Sequence, residues 1–132
     1  MRFRRSQITA AILALCVAST AVGAQGNPDP AQIKNPVAAT PESIAAGRQI
    51  YQRHCASCHG RNGEGGPGND LIPAAPSLVD GQWPHGSSDG EIFSNIRNGV
   101  APDFNMVPFK DRLMDDEIWN VVNYLRSIAV KK

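Results

Sequence analysis

Two thiols and an imidazole within five residues, Cys55-Ala-Ser-Cys58-His59, constrain this chain more than any other feature. What they can do depends on the compartment the chain reaches. Three arginines lie within Met1 to Arg5, and Ile8 to Val22 is an apolar run without a charge, closing on Val22-Gly23-Ala24. That order reads as a cleaved secretory signal over residues 1–24, not a membrane span, because the run is too short and no stop-transfer pattern follows. Leu15 in front of Cys16 speaks against lipidation. The expectation is therefore a periplasmic protein in which Cys55 and Cys58 are the only cysteines left. In an oxidising compartment such thiols must be oxidised, metallated or alkylated.

The spacing favours alkylation by a porphyrin. Two thiols three residues apart on a helical turn can each add to one of two neighbouring vinyl groups, and a histidine directly after the second sits beneath the ring plane. Cys55 and Cys58 are thus read as thioether attachments for one covalent haem c, with His59 as the proximal axial ligand. The competing uses of such a pair fit less well. A thioredoxin-like pair wants a strand before it and a mixed domain. A closed zinc site needs four ligands, and only His54 and His85 remain as weak candidates. A structural disulfide is the third alternative.

Elsewhere the pattern is helical. Residues 25–40, rich in Pro, Ala and Asn, read as a flexible N-terminal arm, or an extended one lying on the domain, ahead of a domain spanning 41–132. Thr40 as N-cap, Pro41 and Glu42 open a first helix that runs directly into the cysteine motif. Residues 60–87 form a long Gly/Pro-rich loop, of the kind that wraps a cofactor. Ser87 or Ser88 caps a second helix through Asn98, with Ile92, Phe93 and Ile96 inward and Gly99 as terminator. Ile118, Val121, Val122, Leu125 and Ile128, three and four apart, mark the last helix. No stretch alternates like a strand. The fold class is all-α, three main helices and long loops around the haem, whose apolar bulk completes a thin core.

The second axial ligand has more than one candidate. Met106 lies 47 residues after His59, in a loop stiffened by Pro108, while Met114 stands where the last helix begins and is more simply packing. A thioether on the far side of the iron raises its potential and leaves no open site, so Met106 is the distal ligand of choice. His85 would give a lower-potential centre, and His54, next to Cys55, points around the helix. The other nitrogen of His59 needs a backbone acceptor, with Pro67, Pro73 and Pro76 as candidates.

These residues together resemble the class I monohaem cytochromes c, bacterial periplasmic members especially. The likeness runs from Gly47 and Tyr51 through Cys55-x-x-Cys58-His59-Gly60 and Gly63-x-Gly65. It continues with Ile92-Phe93, Ile96 and Gly99, then Met106-x-Pro108-Phe109, and ends on Glu117-Ile118-Trp119 with Val121, Val122, Tyr124 and Leu125. It covers about residues 43 to 128. The resemblance implies a crossing of first and last helices at Gly47, and His59 and Met106 as axial ligands. Where similar chains often carry Ser or Thr, Met114 cannot cap the last helix, so Asp115 or Asp116 is expected to take over.

Loss of Arg2, Arg4 and Arg5 with the signal takes thirteen basic residues to ten against twelve acidic, and the formal charge from +1 to −2. With no basic stripe, nucleic acid is not an expected partner. The expected function is electron carriage, not enzymatic: one-electron shuttling between a donor dehydrogenase and an acceptor oxidase or reductase, with Lys110 and Arg112 near the exposed edge. Any membrane association runs through a partner complex. The alternatives are a haem enzyme or sensor with a labile sixth ligand, or a cytochrome subunit of a dehydrogenase complex.

Overall fold

A computed structural model describes residues 28–66 and 73–130. The signal segment, residues 25–27 of the arm and Pro67 lie outside the described residues. After a 3-10 turn at Pro30–Gln32 come helices α1 (Pro41–His54), α2 (Ala56–His59), α3 (Asp89–Asn98) and α4 (Asp115–Ile128); the described residues contain no strand. None of these helices is long and apolar enough to cross a membrane.

Each main helix starts where the local chemistry asks it to. Thr40 Oγ1 accepts from Ser43 N at 3.2 Å, with Pro41 in the first turn of α1. α3 opens on a reciprocal pair: Ser88 Oγ accepts from Glu91 N, and the Glu91 carboxylate accepts from Ser88 N at 2.9 Å. At α4 the sequence expectation needs correcting. Neither Asp115 nor Asp116 caps the helix; Glu117 reaches back, its carboxylate accepting from Met114 N at 2.8 Å. Glu117, at the third helical position, has the side-chain length and register to reach the cap N–H, which the shorter carboxylates at the first two positions lack.

α1 and α4 cross at Gly47. A Cβ there would run into the Asn120 carbonyl and crowd Tyr124, so only glycine permits the approach. Beneath the crossing, Ile118, Val121, Val122 and Tyr51 are essentially sealed from solvent. Burying each such aliphatic side chain contributes roughly 1.5–3 kcal/mol. α3 runs antiparallel to α4, and an ion pair closes each end: Arg97–Asp115 at 2.9 Å and Arg126–Asp89 at 2.7 Å. Both are well exposed, so each is worth about 0–1 kcal/mol. The stacked rings of Phe93 and Trp119, 4.0 Å apart, do more to hold the pair together.

Residues 28–40 lie against this frame. The 3-10 turn packs on α3, where Gly90 leaves room for the Pro30 carbonyl and Ile33. Asn35 Nδ2 donates to Asn123 Oδ1 at 2.8 Å, and Asn123 Nδ2 donates to Ser43 Oγ at 2.8 Å and to the Val37 carbonyl at 3.1 Å. One buried amide thereby ties together the arm, α1 and α4, with its polar atoms satisfied.

Candidate haem site

The first helix does not carry on unbroken through the motif as the sequence leads one to expect: α1 ends at His54. Cys55 leaves the helical path at φ −116°, and α2 resumes for a single turn, Ala56–His59, before Gly60 ends it at φ +80°. The break separates the two cysteines by burial. Cys55 is 8% exposed within the core, whereas Cys58 is half-buried with its sulfur 3.8 Å from Ser57 Oγ. Burial, reinforced by Cys58, pushes the Cys55 thiol up to about 12, so it remains a protonated S–H.

His59 is fixed from two sides. Its Nδ1 lies 3.1 Å from the Pro76 carbonyl. A carbonyl only accepts, so Nδ1 carries the hydrogen and Nε2 keeps the lone pair, ready to bind a metal. Of the three prolines the sequence left open, the structure brings Pro76 to this position. The reason is a pair of loop stretches, 63–66 and 75–78, that exchange main-chain bonds: Gly66 N to Ala75 O at 2.9 Å and Leu78 N to Gly63 O at 2.7 Å. Gly65 N also donates to the His59 carbonyl at 2.8 Å. Burial lowers the His59 pKa, with the Pro76 bond acting in the opposite direction, so the neutral ring is the form favoured.

These residues open on a cavity of about 540 Å³. Cys55, Cys58, His59 and Met106 all line it, together with apolar residues of α3 and α4 such as Ile92, Ile96, Val121 and Leu125. Met106, half-buried, sits in a loop whose ends are pinned by Val100 N to Met106 O at 3.0 Å. Met114 is 70% exposed and lines no part of the cavity, nor does it pack in the core. His54 and His85 are both at the cavity wall; His54 lies edge-on to Phe109, and the His85 carbonyl accepts from Asn95 Nδ2.

In the sequence Tyr51 enters only through the family likeness, with no role of its own. The structure buries it completely, its hydroxyl donating to the Gly60 carbonyl at 2.7 Å and its ring tilted against Tyr124 at 5.2 Å. It therefore clamps the turn that follows His59. Its place four residues before Cys55, on the motif's own helix face, is the signal that could have found it. The donor set fits a haem: a large apolar hollow takes the porphyrin, two thiols stand where vinyl groups can reach them, and imidazole and thioether suit iron. Among the described residues no group of three or more His, Cys, Asp or Glu is placed to hold a metal ion by itself.

Residues 42–125 match the family model described as cytochrome C oxidase, cbb3-type, subunit III. The chain is 34% identical over 107 residues to cbb3-type cytochrome c oxidase subunit CcoP of Rhodobacter capsulatus, covering 70% of this chain and 34% of that one. To CcoP of Azospirillum brasilense it is 31% identical over 83 residues, 63% of this chain and 28% of the relative. The chain thus spans about a third of the length of these relatives. Among solved structures, cytochrome cL from Hyphomicrobium denitrificans superposes with a TM-score of 0.54 at 27% identity, over 66% of this chain and 48% of that one. KustC0563 c-type cytochrome does so at 0.52 and 32%, over 64% and 98%. The fold, the cavity and these likenesses agree: the chain belongs to the monohaem c-type cytochrome family, within the branch of the cbb3-type oxidase subunit III, proteins of electron transfer whose cofactor is covalent haem c.

Proposed function

We propose that this chain is a periplasmic one-electron carrier, not an enzyme, holding a single haem c through Cys55 and Cys58, with His59 and Met106 as axial ligands. In this reading residues 1–24 are removed on export, and residues 25–40 lead into the domain at 41–132. The observation that carries it is the convergence of the four side chains on one cavity.

When bound, haem iron supplies reversible one-electron chemistry between its ferric and ferrous states. The protein's part is to hold that centre still. The Pro76 carbonyl fixes the His59 tautomer and ring plane and strengthens the imidazole as a donor. The pinned loop at Val100–Met106 holds the thioether sulfur in place, and a Met ligand favours the reduced state. The walls from α3 and α4 keep water off the ring, so little reorganises when charge changes. His59 and Met106 would together hold the iron, and the group so held would exchange single electrons with partner redox proteins. A donor dehydrogenase and an acceptor such as a terminal oxidase fit this role.

A second reading, service as a subunit within an oxidase complex, is favoured by the likeness to cbb3-type oxidase subunits. Co-purification with an oxidase in detergent, against recovery as a lone species, separates the two.

The test of the principal reading is a visible spectrum of the purified protein in both oxidation states, with its intact mass. One haem's added mass and a low-spin spectrum are expected; a colourless chain of bare mass defeats the proposal. Met106→Ala should drop the potential and abolish the weak red absorption of a ferric–thioether bond, whereas Met114→Ala should leave both in place.

A further inference from the structure

The last turn of α1 grips the chain that leaves the cysteine motif. Tyr51 and Gln52 each reach nine residues ahead: the Tyr51 hydroxyl donates to the Gly60 carbonyl at 2.7 Å, and Gln52 Nε2 to the Arg61 carbonyl at 2.6 Å. The two bonds differ in their surroundings. Gln52 and Arg61 are exposed, so water can take over a lost contact there. Tyr51 is sealed from solvent, and burial pushes its hydroxyl pKa upward, so it remains a protonated donor. Nothing replaces that bond cheaply.

What the hydroxyl holds is the first link of a main-chain path that returns to His59. The Gly60 carbonyl also accepts from Gly63 N at 3.3 Å, so Tyr51 fixes the turn at 60–63. Gly63 begins the stretch 63–66, which carries 75–78 through Leu78 N to Gly63 O and Gly66 N to Ala75 O. Within 75–78 stands the Pro76 carbonyl, 3.1 Å from His59 Nδ1. Gly65 N, from the first stretch, donates to the His59 carbonyl at 2.8 Å. His59 is thus held at its backbone and at its ring by a segment whose near end Tyr51 sets. Ser77 Oγ reaches the Gly63 carbonyl only at 3.4 Å, which leaves the Tyr51 hydroxyl as the short, buried side-chain bond on this path.

We propose that Tyr51 is a positioning residue for the proximal ligand: through the Gly60 carbonyl its hydroxyl sets the length of the His59–Pro76 bond, and with it the donor strength of the imidazole and the redox balance of the iron it binds. The inference rests on the haem reading above. Its sign follows from the bond. A carbonyl that pulls on Nδ1–H makes Nε2 a better donor, which favours the ferric state. A slackened turn at 60–63 lengthens that bond and moves the balance towards the ferrous state.

Tyr51→Phe in the haem-loaded protein keeps the ring beside Tyr124 and removes only the hydroxyl. In the reduced, diamagnetic form the His59 Nδ1–H is expected to exchange with solvent at least about tenfold faster than in the wild type. At a fixed solution potential the reduced-to-oxidised ratio is expected to rise at least about threefold. Tyr51 also borders the cavity, so the ratio can respond to the ring's surroundings, whereas the Nδ1–H reports the path to Pro76. Val122→Ala, in the sealed core but lining no part of the cavity, is expected to lower stability without either change. An Nδ1–H as protected in Tyr51→Phe as in the wild type, an unmoved ratio, or equally fast exchange in Val122→Ala overturns the role of Tyr51 while leaving a haem-loaded carrier intact. Should Tyr51→Phe give no folded protein, 3-fluorotyrosine at position 51 in a Tyr124→Phe background supplies a stronger donor on the same ring. Slower Nδ1–H exchange than with ordinary tyrosine is then expected, and unchanged exchange overturns the role. A chain that takes up no haem overturns both readings.

Discussion

The two ends of the molecule are built by different means. Where α1, α4 and the arm meet, the contacts come from the chain itself: a glycine-tight crossing, sealed aliphatic side chains and the Asn123 amide joining three segments. At the cavity end, α3 and the loops at 73–87 and 100–113 border a hollow of about 540 Å³; Ile92, Ile96, Phe109 and Leu113 anchor them in the core, and main-chain bonds hold the stretches between. The first end is a scaffold that folds on its own terms; the second takes its final order from what fills it. An electron carrier benefits from that division, since the scaffold fixes His59 while the loops are free to be shaped for partners.

The contrast can be broken most severely at the crossing. Gly47→Val should leave no folded protein, or cost about 4 kcal/mol or more, because Asn120 O and Tyr124 cannot both give way; denaturation midpoints and holoprotein yield report it. His59→Ala sharpens the comparison instead. Hydrogen exchange should show protection in α3 and residues 100–113 falling by roughly a hundredfold, with the α1–α4 amides much less affected; equal losses at both ends would show the division to be wrong. Asn123→Ala strikes the scaffold alone, leaving Asn35, Ser43 and two carbonyls short of a partner, at about 2 kcal/mol, with faster exchange in 33–40 and an unchanged visible spectrum. Smallest is Ser88→Ala, about 1 kcal/mol by thermal unfolding. The reciprocal bond from Ser88 N lowers the Glu91 pKa below the ordinary 4.5, so its stabilisation is present above that pH and is lost as pH falls through the lowered value. The wild-type advantage over Glu91→Gln should therefore shrink in acid.

The sequence made the local chemistry of the helices plain. Pro41 after Thr40, the serines at 87 and 88 with Gly99 as terminator, and the three-and-four spacing from Ile118 to Ile128 are short-range signals, and each element stands where they put it. The motif at 55–59 was equally legible, since its meaning lies in spacing within one turn. What could not be read was pairing at a distance. Asn123 looks like any polar residue on a helix, and only packing shows that its amide spans to Asn35 and Ser43, about eighty positions away. Pro76 could not be told from Pro73 because the choice depends on how 63–66 meets 75–78. Cys55 ending α1 early was likewise invisible, as nothing in Arg-His-Cys-Ala-Ser opposes a helix.

The partner of His59 is a peptide oxygen, seventeen residues downstream, not a side chain. Replacing residue 76 therefore cannot delete the bond in the way that removing an aspartate would; only a change in the path of the chain can. Inheritance at this spot is consequently tolerant of spelling and intolerant of length: an inserted or deleted residue between Ala75 and Leu78 would slide a different carbonyl, or none, beneath the ring.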